Sequence, residues 1–163
     1  VMHVRKHSGR DSNGDVVDIG YVGEVDYIDA TPITELITDG VIPVIAPIGL
    51  GEDKKSYNVN ADTAAGEIAV GLCAEKLVFL TDVIGVMRNP SDDSSLLSTI
   101  QVDEVESLIK DSIIDGGMIP KAKACVQSVR AGVQKTHIVD GRIPHSMLLE
   151  FFTDEGIGTQ IVQ

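Results

Sequence analysis

Three short runs of residues in this sequence have the types and spacing to do chemistry. The first is Asn58, Asn60 and Asp62 in Tyr57-Asn58-Val59-Asn60-Ala61-Asp62, where amide and carboxylate groups crowd one junction. The second is Thr81, Asp82 and Gly85, which follow the apolar run at residues 77–80. The third is Asp115-Gly116-Gly117-Met118-Ile119-Pro120-Lys121. Paired glycines let backbone amides turn toward an anion, and a proline is favoured in the first turn of a helix. A lysine there opposes the helix dipole, which already favours negative charge at that end. The plain account is a solvated lysine, and it suits Lys123. Lys121, joined to a glycine pair and a helix start, fits phosphoryl transfer better, because its ammonium would neutralise charge developing on the phosphoryl oxygens.

These runs need elements to hold them. Asn60 is a good N-cap, with Asp62 in the first turn of a helix over 61–72. Ala64, Ala65, Ile68, Ala69 and Leu72 fall on one face at helical spacing. Residues 77–80 are too short a run for a helix and read as a strand covered on both faces. Thr81 and Asp82 at its end either hold a nucleotide or cap the next turn, and both readings stay open. Strand carboxyl ends are where open α/β sheets bind ligands.

Elsewhere, residues 1–7 alternate as a strand, 8–15 form a turn-rich loop, and 16–29 give one or two strands. Thr31 caps a helix with Pro32 at its first position, ending near Asp39-Gly40. Residues 41–48 read as a buried strand with edges made irregular by Pro43 and Pro47, and 49–55 as a solvated loop. A helix is expected over 100–111, another from Pro120 to about Ala131, a strand over 135–139, a short helix over 144–151 and a last strand over 159–162. The alternation predicts an α/β fold, a three-layer α/β/α sandwich with a largely parallel sheet, in a single domain over 1–163.

Composition excludes several functions. The 163 residues carry a formal net charge of −12, which argues against nucleic-acid and anionic-membrane surfaces. Trp is absent and aromatics are 4%, so base-stacking platforms are not expected. No apolar run approaches 18 residues and no signal-peptide pattern opens the sequence, so a cytoplasmic protein is expected. Cys73 and Cys125 lack metal-ligand spacing, and each reads as a buried thiol in a helix. The patterns GxxxxGK[ST] and GxGxxG are both absent. His3, His7, His137 and His145 form no local catalytic or metal pattern, and Asp92-Asp93 and Asp103-Glu104 read as solvated charges.

The three runs, in this order, resemble the acetylglutamate-kinase branch of the amino-acid kinases. Val22-Gly23-Glu24-Val25, Ile42-Pro43-Val44-Ile45-Ala46-Pro47 and the ending from Asp140-Gly141-Arg142 to Gly158-Thr159 are similar too. The resemblance implies a carbamate-kinase-like fold. It also implies transfer of the ATP γ-phosphoryl group to the side-chain carboxylate of N-acetylglutamate, the second step of arginine synthesis. Catalytic roles then go to Lys121 and Asp62, and contact with acetylglutamate to Asn58 and Asn60. Thr81, Asp82, Val83, Gly85, Val86, Met87, Ile114, Asp115, Gly117 and Met118 would hold the nucleotide. Mg²⁺ would travel with ATP, bound mainly by phosphates and water. His145, Glu155, Gly156 and Gly158 resemble the arginine-sensitive, homo-oligomeric branch, with arginine as feedback inhibitor. The family's amino-terminal phosphate loop and lysine have no counterpart here. The sequence therefore reads as the carboxyl-terminal, nucleotide-binding part, with residues 1–20 the tail of the other half and little activity alone. Alternatives are an arginine-sensing or partner-binding module, or a kinase acting on glutamate, aspartate or UMP.

Overall fold

The computed structural model describes residues 1–153 and 156–163. They form two compact units, Val1–Leu72 and Cys73–Gln163. The first contains β1 (Met2–Lys6), β2 (Gly9–Arg10), β3 (Val16–Val17), β4 (Gly23–Ile28), α1 (Thr31–Thr38), β5 (Ile48–Gly51), β6 (Ser56–Asn58) and α2 (Ala61–Gly71). The second contains β7 (Lys76–Thr81), β8 (Thr99–Gln101), α3 (Val105–Lys110), α4 (Met118–Arg130), β9 (Lys135–Asp140), α5 (Ser146–Phe152) and β10 (Thr159–Val162). The α/β class expected from the alternation is the one observed.

In the first unit the sheet order is β4-β1-β5-β6, with β1 and β5 parallel and the outer pairs antiparallel. Its core is Met2, Val4, Tyr57, Val59 and Ala64, with Val25, Ile28 and Ile68 packed against it. Small residues on the inner face of α2, Ala64, Gly66 and Ala69, let the helix come close to β4. Helix α2 starts where expected, because Asn60 Oδ1 accepts from Thr63 N–H at 3.0 Å.

Three expectations for this unit change. Thr31 is the first residue of α1 and not its cap; Asp29 instead accepts from Thr31 N–H at 3.1 Å. Residues 49–55 are not all loop, since β5 and β6 close a hairpin across a turn where Gly51 N–H donates to Lys55 O. Residues 41–47 form no strand, and Ile42 and Val44 are 87% and 96% exposed. Pro43 and Pro47 remove two amide donors there, and among the described residues no strand lies alongside to compensate.

In the second unit the order is β7-β9-β10-β8, with β7–β9 and β10–β8 parallel and β9–β10 antiparallel. Ile100, Ile114, Ile138 and Ile161 are fully buried at its centre. Helix α4 packs along β7, β9 and β10, and α5 against β9. Strand β7 is an edge strand that buries Leu77 and Phe79 while leaving Leu80 half exposed, so it is covered on one face and not two.

Other boundaries move as well. Residues 99–101 pair with β10, which leaves only Val105–Lys110 for α3. Helix α4 begins at Met118, two residues before Pro120, whose missing N–H matters little in a first turn. Cys125 is buried in α4, but Cys73 is exposed beyond the end of α2 at φ +50°. Among the described residues no helix is long and apolar enough to cross a membrane.

Candidate active site

The second unit opens a cavity of about 500 Å³ beyond the end of β7. Strand β7 ends at Thr81, in register with Asp140 at the end of β9. Gly141 N–H donates to Thr81 O at 2.8 Å, which ties the two strand ends together. The Thr81 hydroxyl turns the chain, accepting from Val83 N–H at 3.1 Å and donating to Val83 O at 2.9 Å. The turn continues through Gly85 to Val86, whose N–H donates to the buried Thr159 hydroxyl at 2.9 Å. A side chain at Gly85 would meet Thr159 Oγ1 at 2.6 Å, so glycine is needed there for close approach.

The opposite wall is the start of α4. Met118 N–H donates to Asp115 O at 2.9 Å, and Gly116 supplies the left-handed turn at φ +47°. Lys121 then stands one turn into the helix and lines the same cavity. Of the residues expected to hold a nucleotide, Thr81, Asp82, Val83, Gly85, Val86, Met87, Asp115, Gly117 and Met118 all line it. Ile114 does not: it is fully buried in the core, and its neighbour Ile113 takes the place in the wall. Pro90 also lines the cavity. Sequence reading missed Ile113 and Pro90, since nothing local shows which isoleucine of the pair turns to the core.

Beside these strand ends Asp140 is nearly buried and grips Arg142, accepting from Nε and Nη2 at 2.9 and 2.8 Å. The guanidinium holds the Asp140 carboxyl below its usual range, with the Arg142 backbone N–H adding to the effect. The carboxylate in turn raises Arg142.

Asn58, Asn60 and Asp62 lie in the first unit, at the end of β6 and the start of α2. Asn60 is committed to its cap, Asn58 is exposed, and Asp62 sits in the first helical turn, where a carboxylate is favoured.

A second cavity of about 370 Å³, strongly polar in its lining, lies near the start of β10. Gly156 and Gly158 line it, together with Lys76, Lys135, His137 and Glu150. Glu150 organises the wall. One oxygen lies 2.7 Å from His137 Nδ1, and the other accepts from Ile157 and Gly158 N–H at 2.7 and 3.1 Å. His137 Nε2 is buried with no hydrogen-bond partner among the described residues. His137 is therefore a packed residue with one nitrogen left over. Phe151 packs edge-on to His137, with Lys76 Nζ 4.7 Å from the Phe151 ring centre. His145 is exposed at a left-handed φ of +59° and does not line this cavity. Glu155 lies outside the described residues. Lys76, His137 and Glu150 gave no sequence signal, because the fold brings them together from β7, β9 and α5.

Comparison with known proteins agrees with this geometry. The pattern described as the amino acid kinase family matches residues 2–140. An acetylglutamate kinase of Syntrophomonas wolfei is 58% identical over 144 residues, covering 88% of this chain and 50% of its own. One of Heliobacterium modesticaldum is 56% identical over 146 residues, covering 90% and 50%. The chain thus spans about half the length of these curated relatives. Among solved structures, N-acetylglutamate synthase of Neisseria gonorrhoeae, complexed with coenzyme A and L-arginine, superposes with a TM-score of 0.86. It is 29% identical, over 99% of this chain and 36% of its own. Carbamate kinase of Giardia lamblia bound to AMP-PNP shares the fold at a TM-score of 0.63 and 22% identity, over 98% and 51%. The sequence pattern, the relatives and the fold agree, and the chain belongs to the amino acid kinase family.

Proposed function

We propose that this chain is the nucleotide-binding part of an acetylglutamate kinase, which moves the ATP γ-phosphoryl group onto the side-chain carboxylate of N-acetylglutamate. One observation carries the reading: a single cavity gathers Lys121, the Thr81–Asp82 strand end and the Asp115–Met118 helix start. Its volume, about 500 Å³, is in the range of small-molecule sites. The positive end of the α4 helix dipole favours phosphate charge there. Val86, Met87 and Ile113 offer apolar surface to a base, and Asp82 and Asp115 can accept hydrogen bonds from ribose or amino groups.

Lys121 neutralises charge that develops on the transferring phosphoryl oxygens. Asn58 and Asn60 offer side-chain amides to the acceptor, and Asp62 is assigned a catalytic role. Mg²⁺, when bound, offsets phosphate charge. The ion would be held mainly by phosphates and water.

Calorimetric titration of MgATP into this chain tests the reading. Binding that weakens at least tenfold in Lys121→Ala and Asp82→Ala supports it; undiminished binding in both overturns the assignment of the cavity. The polypeptide at its relatives' full length should phosphorylate N-acetylglutamate in preference to glutamate, aspartate or UMP.

The polar cavity supports a second, compatible role as an effector site for an α-amino acid with a cationic side chain, such as arginine. Glu150 and the spare His137 nitrogen are acceptors for cationic donors, and Lys76 and Lys135 suit a carboxylate. L-Arginine binding that is lost in Glu150→Ala would support it.

A further inference from the structure

The two cavities of the second unit meet through two consecutive residues. Gly158 lines the polar cavity, and its N–H donates to Glu150 at 3.1 Å. Thr159 is the next residue; it is fully buried, and its hydroxyl accepts from Val86 N–H at 2.9 Å. Val86 lines the nucleotide cavity, whereas Thr159 lines neither.

Neither junction has slack. A methyl group on Gly158 would run into the Ile138 carbonyl, and one on Gly85 would come within 2.6 Å of Thr159 Oγ1. Thr159 is also held in register with Ile138 across β9 and β10. Close-packed interiors resist compression, so a displacement passes to the next bonded group instead of being absorbed. A ligand that moved Glu150 would load the Gly158 hydrogen bond, one residue from the hydroxyl that fixes Val86.

We propose that Thr159 is a positioning residue of the nucleotide turn, and the link through which the polar cavity alters nucleotide affinity. The proposal rests on the two-cavity reading above. It gives the effector site a path to the nucleotide: Glu150, Gly158, Thr159, Val86. Coupling of this kind is reciprocal, so nucleotide must change effector affinity by the same factor.

The test uses this chain, L-arginine as the effector probe, and the variants Thr159→Val and Thr159→Ser. Valine keeps the branched shape and removes the acceptor; serine keeps the acceptor. In the unaltered chain, saturating L-arginine should change MgATP affinity about fivefold or more, and should move the Val86 amide resonance. In Thr159→Val the ratio of affinities should fall to one, and Val86 amide exchange should speed up about tenfold while Leu97 N–H, bonded to Val86 O, stays protected. Thr159→Ser should behave as the unaltered chain. A general loss of packing would lower affinity with and without L-arginine alike and leave their ratio intact, which overturns the proposal. So does a Val86 resonance that ignores L-arginine, or an exchange rate unchanged in Thr159→Val. Absence of MgATP binding sinks the nucleotide reading alone, since the Val86 amide still reports the link. If Thr159→Val fails to fold, the response of the unaltered chain and of Thr159→Ser decides.

Discussion

Arg142 folds back onto Asp140 two residues earlier, so that a nearly buried carboxylate takes three hydrogen bonds from one guanidinium and a fourth from the Arg142 backbone N–H. The pair sits where β9 ends beside β7, and Gly141 between its members donates to Thr81 O. The arginine fork thus braces the strand end that begins the turn lining the larger cavity.

This brace makes stability depend on acid. The Asp140 carboxyl is held below its ordinary value near 3.8, first by the Arg142 side chain and then by its backbone N–H. A carboxylate with a lowered folded pKa contributes stability above its unfolded value, and that contribution is lost as pH falls through the folded value. Asp140→Asn should therefore be less stable than the unaltered chain at pH 7, with the gap narrowing below about pH 4. Urea midpoints measured from pH 7 to pH 3 check this. A gap that stays constant would show that Asp140 is not stabilised in its charged form.

The Asn60 cap gives a local prediction. Its side chain satisfies Thr63 N–H, one of the donors left over at the start of α2, and accepts from the Thr63 hydroxyl at 3.3 Å. Asn60→Ala should destabilise the first unit by about 1 kcal/mol, and Asn60→Ser much less. Hydrogen exchange at Thr63 and Ala64 should report it first. If Asn60 contacts the acceptor as proposed, Asn60→Ser in the full-length polypeptide should raise KM for acetylglutamate while leaving stability nearly intact.

Gly158 makes the strongest packing prediction. A methyl group there meets backbone, the Ile138 carbonyl, and not the flexible end of a side chain. Gly158→Ala must push β10 away from β9 or break the Glu150 hydrogen bond, and overpacking of this kind destabilises by about 1–3 kcal/mol. Gly132→Ala is not an equivalent control, because Gly132 sits at φ +113°; Gly117→Ala, with open space around it, is the better one and should stay within about 0.5 kcal/mol. Chemical denaturation of both variants separates the two cases.

The sequence made some of this legible for physical reasons. Strands β9 and β10 are short stretches rich in β-branched residues and bounded by turn residues, and α2 announces itself by its cap and its alanines. Most residues that line the larger cavity lie in two short runs, at 81–87 and 113–121, and the family resemblance pointed to both runs. Residues 41–47 were misread because the same apolar composition makes a strand only where a neighbour offers backbone partners. Strand β8 was absorbed into a helix because three residues carry too little periodicity to contradict the helical spacing that follows. Ile114 and Ile113 differ only in which one the fold buries. The His137–Glu150 pair joins a strand to a helix, and no local spacing reveals a contact made by tertiary packing.

Lys121 carries the most direct prediction about chemistry. Its place one turn into α4 is set by Gly116, which turns the backbone, and by the packing of Ala122 and Cys125, both fully buried behind it. Removing the ammonium therefore leaves the backbone of the cavity in place and removes the charge on which the proposed transfer step depends. In the full-length polypeptide, Lys121→Ala should lower kcat by about 100- to 1000-fold, with a much smaller change in KM for acetylglutamate. Lys121→Arg, which keeps the charge but not the compact ammonium, should recover only part of the rate. Initial-rate kinetics across both substrates check this. A variant that loses affinity for acetylglutamate and keeps kcat would place Lys121 in acceptor binding and remove it from the transfer step.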